Sequence, residues 1–283
     1  MQLDVNNAFL HGDLVEKVYM RQPQGYEQED SSLVCKLNKA LYGLKQAPRE
    51  WYSKLANGLK ELGFAATKSD IAVFTREMNQ LKTYVLVYVD NIIVTGECDN
   101  SIREVISQLN SMFALKDLGD LHYFLGIQAT KTKSGGLVFT QQKYIEEVMK
   151  KAGMVGCTAC HTPLPSTTKI SALGGSNFHD PSLYRSVIGS LQYLTITRPE
   201  ISFSVNKLAQ FVQSPMNSHW KMVKCVLRYL NGTAHHGLHL KKDPALNTAM
   251  KITAYSDSDW AGDPDDRKST SGYCVFLGSN LVS

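Results

Sequence analysis

Residues 84–96 have the sequence Tyr84-Val85-Leu86-Val87-Tyr88-Val89-Asp90-Asn91-Ile92-Ile93-Val94-Thr95-Gly96, in which two β-branched and aromatic runs flank one acidic residue. Short apolar runs of this composition predict the two buried strands of a hairpin, with Asp90 at the turn between them. A carboxylate held at such a turn can bind Mg²⁺, which prefers hard oxygen ligands. The alternative is that Asp90 and Asn91 serve only the turn, where both residue types are common.

The rest of the first half predicts an α+β fold with a mainly antiparallel sheet. Apolar residues at three- and four-residue steps indicate a helix over 41–62, with Pro48 in its first turn. Further helices are expected over 102–113, capped by the residues at 99–101, and over 142–152. Strands are predicted at residues 1–4, 17–20, 71–75, 82–89, 92–95, 121–130 and 137–140.

The second half divides into a linker, a helical module and a last set of strands. Between residues 155 and 182 the periodicity fails and Gly, Ser, Thr and Pro dominate, which indicates a linker. Helical segments follow at 183–197, 199–212 and 218–231, and strands are predicted at 237–240, 251–256 and 271–277. We therefore expect four parts, which cover residues 1–154, 155–182, 183–236 and 237–283.

Charge and cysteine content narrow the classes of function. The 283 residues carry a net charge of +4, and the six scattered cysteines are interpreted as reduced thiols. We find neither a secretory signal nor a membrane-spanning run. Residues 31–60 hold six basic residues against Glu50 alone, which predicts a polyanionic partner such as nucleic acid, unless it is only a solvated basic surface. Cys157-Thr158-Ala159-Cys160-His161 matches a haem-attachment pattern, but its place in the predicted linker argues against haem or zinc.

The sequence Tyr88-Val89-Asp90-Asn91 resembles the Tyr-x-Asp-Asp motif of reverse transcriptases, with Asn91 where the family has a second aspartate. Residues 1–283 as a whole resemble the polymerase of copia-type long-terminal-repeat retrotransposons. The sequence Asp4-Val5-Asn6-Asn7-Ala8-Phe9 is similar to the family's first catalytic motif. The resemblance implies that Asp4, Asp90 and Asn91 are catalytic and that the two aspartates bind metal. It also implies that Phe9 lies beneath the nucleotide sugar. By themselves, Asp4 is also compatible with a cap or turn and Phe9 with a core aromatic.

Two further motifs imply nucleotide and primer contacts. The sequence Leu41-Tyr42-Gly43-Leu44-Lys45-Gln46-Ala47-Pro48-Arg49 is close to the family's second motif, which implies that Gln46 contacts the nucleotide and that Lys45 and Arg49 contact nucleic acid. Residues 118–127 resemble the segment that leads into the primer-gripping hairpin, where Gly126 would lie against the primer. Lys116 matches a lysine near the triphosphate. A plain loop-to-helix entry and a solvated surface lysine remain open alternatives.

The helical module and the last strands carry two weaker matches. Residues 187–201 resemble the thumb helix of the family, which implies that Gly189 and Tyr193 contact nucleic acid, although core packing explains their spacing equally well. Residues 254–273 resemble the opening strands of the family's ribonuclease H domain, in which Asp257 matches the first metal carboxylate. Because a single ligand does not make a metal site, we expect no ribonuclease H activity from Asp257.

Together these matches imply a polymerase palm with an antiparallel sheet, a helical thumb, and an incomplete ribonuclease H-like α/β unit. The implied reaction is templated DNA synthesis from dNTPs on an RNA or DNA primer–template, with two Mg²⁺ ions and no membrane. Neighbouring Pol segments, fingers and integrase, are further implied partners, and the implied location is intracellular, cytoplasmic or nuclear. Because the family's fingers do not precede Met1 and Asn91 removes a carboxylate, we expect impaired catalysis. A non-catalytic nucleic-acid-binding remnant is the alternative.

Overall fold

The computed structural model describes residues 1–165, 170–242 and 251–283, and the chain divides after Leu121 into two units. The sequence predicted the first boundary at residue 154, so the division lies earlier than expected. The reason is packing, because Ile145, Val148 and Met149 are buried in one core with the later helices. The hairpin and helix that follow residue 121 therefore belong with the second unit.

The first unit is built on a six-stranded antiparallel sheet with the order β4-β5-β6-β7-β1-β8, and a separate two-stranded ribbon pairs β2 with β3. Its elements are β1 (Gln2–Val5), a short 3₁₀ helix (Ala8–His11), β2 (Asp13–Arg21), β3 (Val34–Lys39), α1 (Ala47–Glu61), β4 (Ala65–Ala66), β5 (Val73–Met78), β6 (Leu81–Tyr88), β7 (Asn91–Gly96), α2 (Asp99–Met112) and β8 (Leu115–Asp117).

The core of the first unit lies between the sheet and its two helices. Val85 and Val87 of β6 are buried, and α1 contributes Trp51, Leu55 and Leu59, which recur at four-residue steps. Such spacing places the three side chains on one face of the helix. The hairpin of β6 and β7 is confirmed, with Asp90 in its two-residue turn. The α+β pattern is confirmed as well, since every strand pairing among the described residues is antiparallel.

Three boundaries of the first unit differ from the prediction. Helix α1 begins at Ala47 and not at residue 41, because Gly43 has a φ of +95° that no helix can contain. The strand predicted at 17–20 is longer and pairs with β3, which the sequence analysis missed. Helix α2 begins at Asp99, so the predicted caps at 99–101 are wrong and Cys98 occupies the N-cap position.

The second unit combines a helical core with two small antiparallel sheets, of order β12-β11-β10-β9 and β13-β14-β15. The helical core contains residues of α3 to α6. The elements are β9 (Tyr123–Phe124), β10 (Ile127–Lys131), β11 (Leu137–Thr140), α3 (Gln142–Lys151), α4 (Pro181–Leu194), α5 (Ser202–Ala209), α6 (Asn217–Gly232), β12 (Leu238–Leu240), β13 (Ile252–Ser258), β14 (Ser271–Leu277) and β15 (Asn280–Leu281).

Packing corrects two expectations for the second unit. The predicted linker 155–182 lies against the helices in its described residues, since Ile170 and Phe178 are buried in their core, while residues 166–169 of it lie outside the described residues. A last unit beginning at residue 237 required the strand predicted at 237–240 to pair with β13 or β14. This strand pairs with β11 instead. In the described ranges, no helix has the length and apolar character needed to cross a membrane.

Candidate functional site

The centre of the site is a row of three residues across three strands of the first unit. Strand β1 lies between β7 and β8, and Asp4 is in register with Asn91 on one side and with Lys116 on the other. Residues directly opposite each other in antiparallel strands have Cβ atoms about 4.5–5.5 Å apart and share one face of the sheet. The strand register therefore places Asp4 between Asn91 and Lys116.

Asp90 joins this row through the backbone of the hairpin turn. It directly precedes Asn91, and its carbonyl oxygen accepts a hydrogen bond of 2.7 Å from the amide of Val5. This bond ties the turn to the residue that follows Asp4. The two aspartates, which are far apart in the sequence, are thereby held at neighbouring ends of adjacent strands.

The turn itself is strained at Val89. Val89 has a φ of +54°, a region that a β-branched residue rarely adopts and that costs on the order of 1–3 kcal/mol. Its carbonyl oxygen accepts a hydrogen bond of 2.6 Å from the indole nitrogen of Trp51, which is buried in α1. Trp51 therefore holds the turn from beneath. Sequence analysis placed Trp51 in the helix but missed this contact, because no local pattern connects residues 51 and 89.

Asn91 is engaged with its neighbour. Its side-chain amide donates a hydrogen bond of 3.0 Å to Oδ1 of Asp90, and both residues are half-buried. An aspartate at position 91 would place a second carboxylate against this oxygen, an arrangement that only a cation or a proton stabilises. The Asn91 amide instead gives the Asp90 carboxylate a hydrogen-bond donor, so this oxygen does not need a cation.

The donor set at this edge consists of the carboxylates of Asp4 and Asp90 and the amide oxygen of Asn91. These are the hard oxygen ligands that Mg²⁺ prefers, so the residues fit a magnesium ion. Across the described ranges, however, no group of three acidic, histidine or cysteine side chains is positioned to hold a metal. The carboxylates of Asp4 and Asp90 together carry two negative charges, whereas two Mg²⁺ ions carry four positive charges.

An aromatic pair lies next to the site. Phe9 is on the 3₁₀ helix that follows β1, and its ring centroid is 4.5 Å from that of Tyr42, with an interplanar angle of 47°. Phe9 is only partly buried and Tyr42 is exposed, so the pair forms part of the surface. Tyr42 was missed as a candidate, although its place in the motif at 41–49 was the available signal.

The second motif places its polar residues at the start of α1. Gln46 is the N-cap residue, and its side chain makes no capping hydrogen bond, so the amide is not consumed by the helix. Lys45 and Arg49 are exposed and make no ion pair with any described residue. Neither helix capping nor an ion pair with a described residue therefore engages these three side chains.

The basic segment at 31–60 is partly neutralised by an acidic residue outside it. Asp13, at the start of β2, forms ion pairs with Lys39 of β3 and, at 2.7 Å, with Lys54 of α1. Hydrogen bonds from these two lysines lower the pKa of Asp13 to about 2. Two of the six basic residues therefore have a partner within the protein, which the count of charges along the sequence did not show.

In the second unit, Tyr193 contacts the turn that contains Gly126. Leu125 and Gly126 have φ values of +49° and +78° and form the tight turn between β9 and β10, which splits the strand predicted at 121–130. The Tyr193 hydroxyl donates to the carbonyl oxygen of Leu125, and Tyr144 packs edge-on against its ring at 5.3 Å. Gly189, one turn earlier on α4, is exposed, so core packing does not explain it.

Asp257 lies on β13 and is exposed, opposite Gly272 of β14. It lines a cleft of about 630 Å³ in the second unit, together with Asp259. Oδ1 of Asp259 accepts a hydrogen bond of 2.5 Å from the backbone amide of Thr270, which stabilises the loop. Elsewhere in the second unit, the thiol of Cys160 donates a hydrogen bond of 3.3 Å to the carbonyl oxygen of Cys225, which lies on α6. Cys160 therefore packs against this helix.

Comparisons with known proteins identify the family of this chain. The profile of the family described as "Reverse transcriptase (RNA-dependent DNA polymerase)" matches residues 1–166. The chain is 46% identical over 283 residues to the retrovirus-related Pol polyprotein from transposon RE1 of Arabidopsis thaliana, covering 100% of this chain and 19% of that protein. It is 38% identical to the corresponding polyprotein from transposon TNT 1-94 of Nicotiana tabacum, covering 100% of this chain and 22% of that protein. The chain thus spans about a fifth of the length of these relatives.

Proposed function

Because this chain belongs to the reverse transcriptases of copia-type retrotransposon Pol polyproteins, we propose that its first unit is the palm of an RNA-directed DNA polymerase. The observation that carries the proposal is the register of β1, which aligns Asp4 with Asn91 and Lys116, while Asp90 lies in the turn directly before Asn91. Convergence of two carboxylates and a lysine on one sheet edge suits phosphoryl transfer, in which negative charge must be held and neutralised.

In this proposal each residue of the site has a separate task. Asp4 and Asp90 bind the divalent metal that the family generally uses. When bound, such a metal lowers the pKa of the attacking 3′-hydroxyl and neutralises the leaving pyrophosphate. Lys116 lies beside Asp4 and attracts the triphosphate, while Gln46 contacts the incoming dNTP. Phe9, packed on Tyr42, supports the sugar and leaves no room for a 2′-hydroxyl.

The second unit extends the proposal to the primer and the duplex. The Leu125–Gly126 turn, held by Tyr193, would lie against the primer, and the helices α4 to α6 would form the thumb with Gly189 on its exposed surface. The strands β13 to β15 would be the opening strands of a ribonuclease H-like unit with Asp257. An RNA or DNA primer–template, dNTPs and the neighbouring Pol segments are the proposed partners.

Binding of metal and nucleotide tests the proposal without any need for catalysis. We expect titration calorimetry to detect Mg²⁺-dependent dNTP binding to the chain and to show tighter binding in Asn91→Asp, which restores a carboxylate. Asp4→Asn should abolish the metal dependence. Asp257→Asn is the matched control, because it removes a similar carboxylate from the second unit and should leave dNTP binding unchanged. Binding that is independent of metal in every variant would contradict the proposal.

A second candidate function is nucleic-acid binding without catalysis. The observation that favours it is the hydrogen bond from the Asn91 amide to Asp90, which gives this carboxylate a partner within the protein. Primer–template binding distinguishes the two functions. Full affinity in a chelator, together with no dNTP binding even in Asn91→Asp, would support the binding remnant and exclude the polymerase.

A further inference from the structure

The ribbon formed by β2 and β3 has two chemically different faces. Tyr19 is directly opposite Lys36, and Arg21 is opposite Val34. The pairing is irregular between Asp13 and Val18, but residues 17–21 alternate between exposed and half-buried, so Lys17 shares the face of Tyr19 and Arg21. All five side chains are exposed, whereas the residues of the other face are half-buried and mostly apolar, namely Val18, Met20, Cys35 and Leu37. The ribbon thus has one half-buried face and one face that is exposed to solvent.

The exposed face carries uncompensated positive charge. Lys17, Arg21 and Lys36 form no ion pair with any described residue, and no acidic residue lies among them on this face. Lys39, only three residues beyond Lys36, is in contrast paired with Asp13. Three neighbouring cations without an ion-pair partner in the described part of the chain attract a polyanion.

An aromatic ring stands in the middle of these charges. The Tyr19 side chain is 55% exposed, and within the described part of the chain its ring packs against no other aromatic ring and its hydroxyl makes no hydrogen bond. The ring therefore adds little to the core of the unit. An exposed aromatic side chain between basic residues is the arrangement on which nucleic-acid bases stack while their phosphates bind the cations.

We propose that this ribbon face binds single-stranded nucleic acid. The strand that it binds is the unpaired part of the template, next to the primer–template duplex. Bases stack on Tyr19, and phosphates bind Lys17, Arg21 and Lys36. The inference rests on the proposed polymerase function, since it assigns a template contact to the same unit. An acidic peptide would also bind the three cations, but it offers nothing that would stack on the ring.

The ribbon emerges directly from the proposed nucleotide site. The carbonyl oxygen of Gly12 accepts a hydrogen bond of 3.0 Å from the amide of Ala40, which closes the base of the ribbon. Phe9 precedes that base and Tyr42 follows it. Lys39 lies at the base of the ribbon, and Lys36, which is opposite Tyr19, lies three residues from it, about 10 Å along the strand. A single strand needs about three stacked nucleotides to span this distance. An overhang shorter than this should not reach Tyr19.

Fluorescence anisotropy at low salt tests the inference with three DNA substrates. The substrates are a blunt duplex and the same duplex with a 5′ template overhang of one or eight nucleotides. We expect Tyr19→Ala to weaken binding of the eight-nucleotide overhang about 5- to 100-fold and to leave the other two substrates unchanged. Tyr19→Phe keeps the ring and should bind as the wild type. Lys36→Gln should lower the slope of log affinity against log salt by about 0.7 on the long overhang.

Tyr26→Ala is the matched control. Tyr26 is 82% exposed in the loop between β2 and β3, but it is followed closely by Glu27, Glu29 and Asp30, so it should not contact phosphate-bearing strands. Thermal unfolding of each variant verifies that the fold is intact. Because the Tyr19 ring is exposed, its removal leaves no cavity.

The outcomes separate this inference from the proposed function. If the wild type binds none of the three substrates, the proposed function itself fails. If the duplexes bind but the long overhang adds no affinity, or Tyr19→Ala binds it normally, the ribbon is not a template site. An equal loss on all substrates, or a polyglutamate peptide that binds the ribbon where single-stranded DNA does not, would also overturn the inference.

Discussion

At the scale of single residues, Asn91 decides how much charge the site can offer to a metal. It replaces a carboxylate by an amide that hydrogen-bonds Asp90 at 3.0 Å. One missing charge about 4 Å from a cation corresponds to roughly 4 kcal/mol at an effective dielectric constant of 20, before solvent compensates. If half of this survives in the transition state, the rate falls about 30-fold.

We therefore expect Asn91→Asp to accelerate primer extension by at least one order of magnitude in Mg²⁺. The two proteins that are compared are otherwise identical, so that only position 91 differs. Rates are measured at saturating dNTP, where differences in nucleotide affinity do not contribute. Equal rates would show that a third carboxylate is dispensable in this site.

Val89 affects the stability of the protein through its backbone conformation and not through its side chain. Since its φ of +54° is strained for valine and unstrained for glycine, we expect Val89→Gly to raise the free energy of unfolding by about 1 kcal/mol. Urea denaturation measures the change. The control is Val15→Gly, because Val15 is 90% exposed and does not have a positive φ, and this substitution should lower the stability by about 0.5–1 kcal/mol. Destabilisation by both substitutions would contradict the assignment of strain to Val89.

At the scale of elements, Asp13 connects three of them. It begins β2 and pairs with Lys39 at the end of β3 and with Lys54 on α1, so the base of the ribbon is tied to the helix. All three side chains are about half-exposed, which limits the contribution of these pairs to stability to less than about 1 kcal/mol in total. The pairs fix where the ribbon leaves the unit.

The pH dependence of this contribution follows from the direction of the shift. The pKa of Asp13 falls from 3.8 to about 2 on folding, so its stabilisation is complete above pH 3.8 and is lost as the pH falls through about 2. We expect Asp13→Asn to lower the free energy of unfolding at pH 6 and to have no effect below pH 2. Urea titrations at the two pH values measure this. A deficit of equal size at both would show that lost packing, and not the ion pairs, is responsible.

At the scale of the whole molecule, the net charge of +4 understates what a nucleic acid meets. The ribbon of β2 and β3 and the motif at 41–49 alone present five exposed cations without an ion pair among the described residues, Lys17, Arg21, Lys36, Lys45 and Arg49. Phosphate contacts release counterions, so binding should depend strongly on salt and little on sequence.

We expect the log of primer–template affinity to fall with the log of salt concentration with a slope between about −3 and −5. Asp13→Asn frees Lys39 and Lys54, so it should bind more tightly and steepen the slope by up to about 2. Titrations from 50 to 200 mM salt measure both. Salt-independent binding, or a shallower slope in Asp13→Asn, would contradict the electrostatic account.

The local sequence determined the elements of this protein well. The short β-branched and aromatic runs in 84–96 predicted the hairpin and the turn at Asp90, and apolar residues at three- and four-residue steps predicted helices, because both signals belong to a single element. Motifs that are local in sequence also predicted Asp4, Phe9 and Gln46. Helix starts were predicted less well, since Gly43 and Cys98 act through backbone conformation.

Only the tertiary structure decided which residues meet. The alignment of Asp4 with Asn91 and Lys116, the hydrogen bond from Trp51 to Val89, and the ion pairs of Asp13 all join residues more than 20 positions apart. Strand register and helix packing create these contacts, and no local period encodes them. For the same reason the composition of residues 31–60 located positive charge, whereas pairing of β2 with β3 determined which cations remain free beside Tyr19.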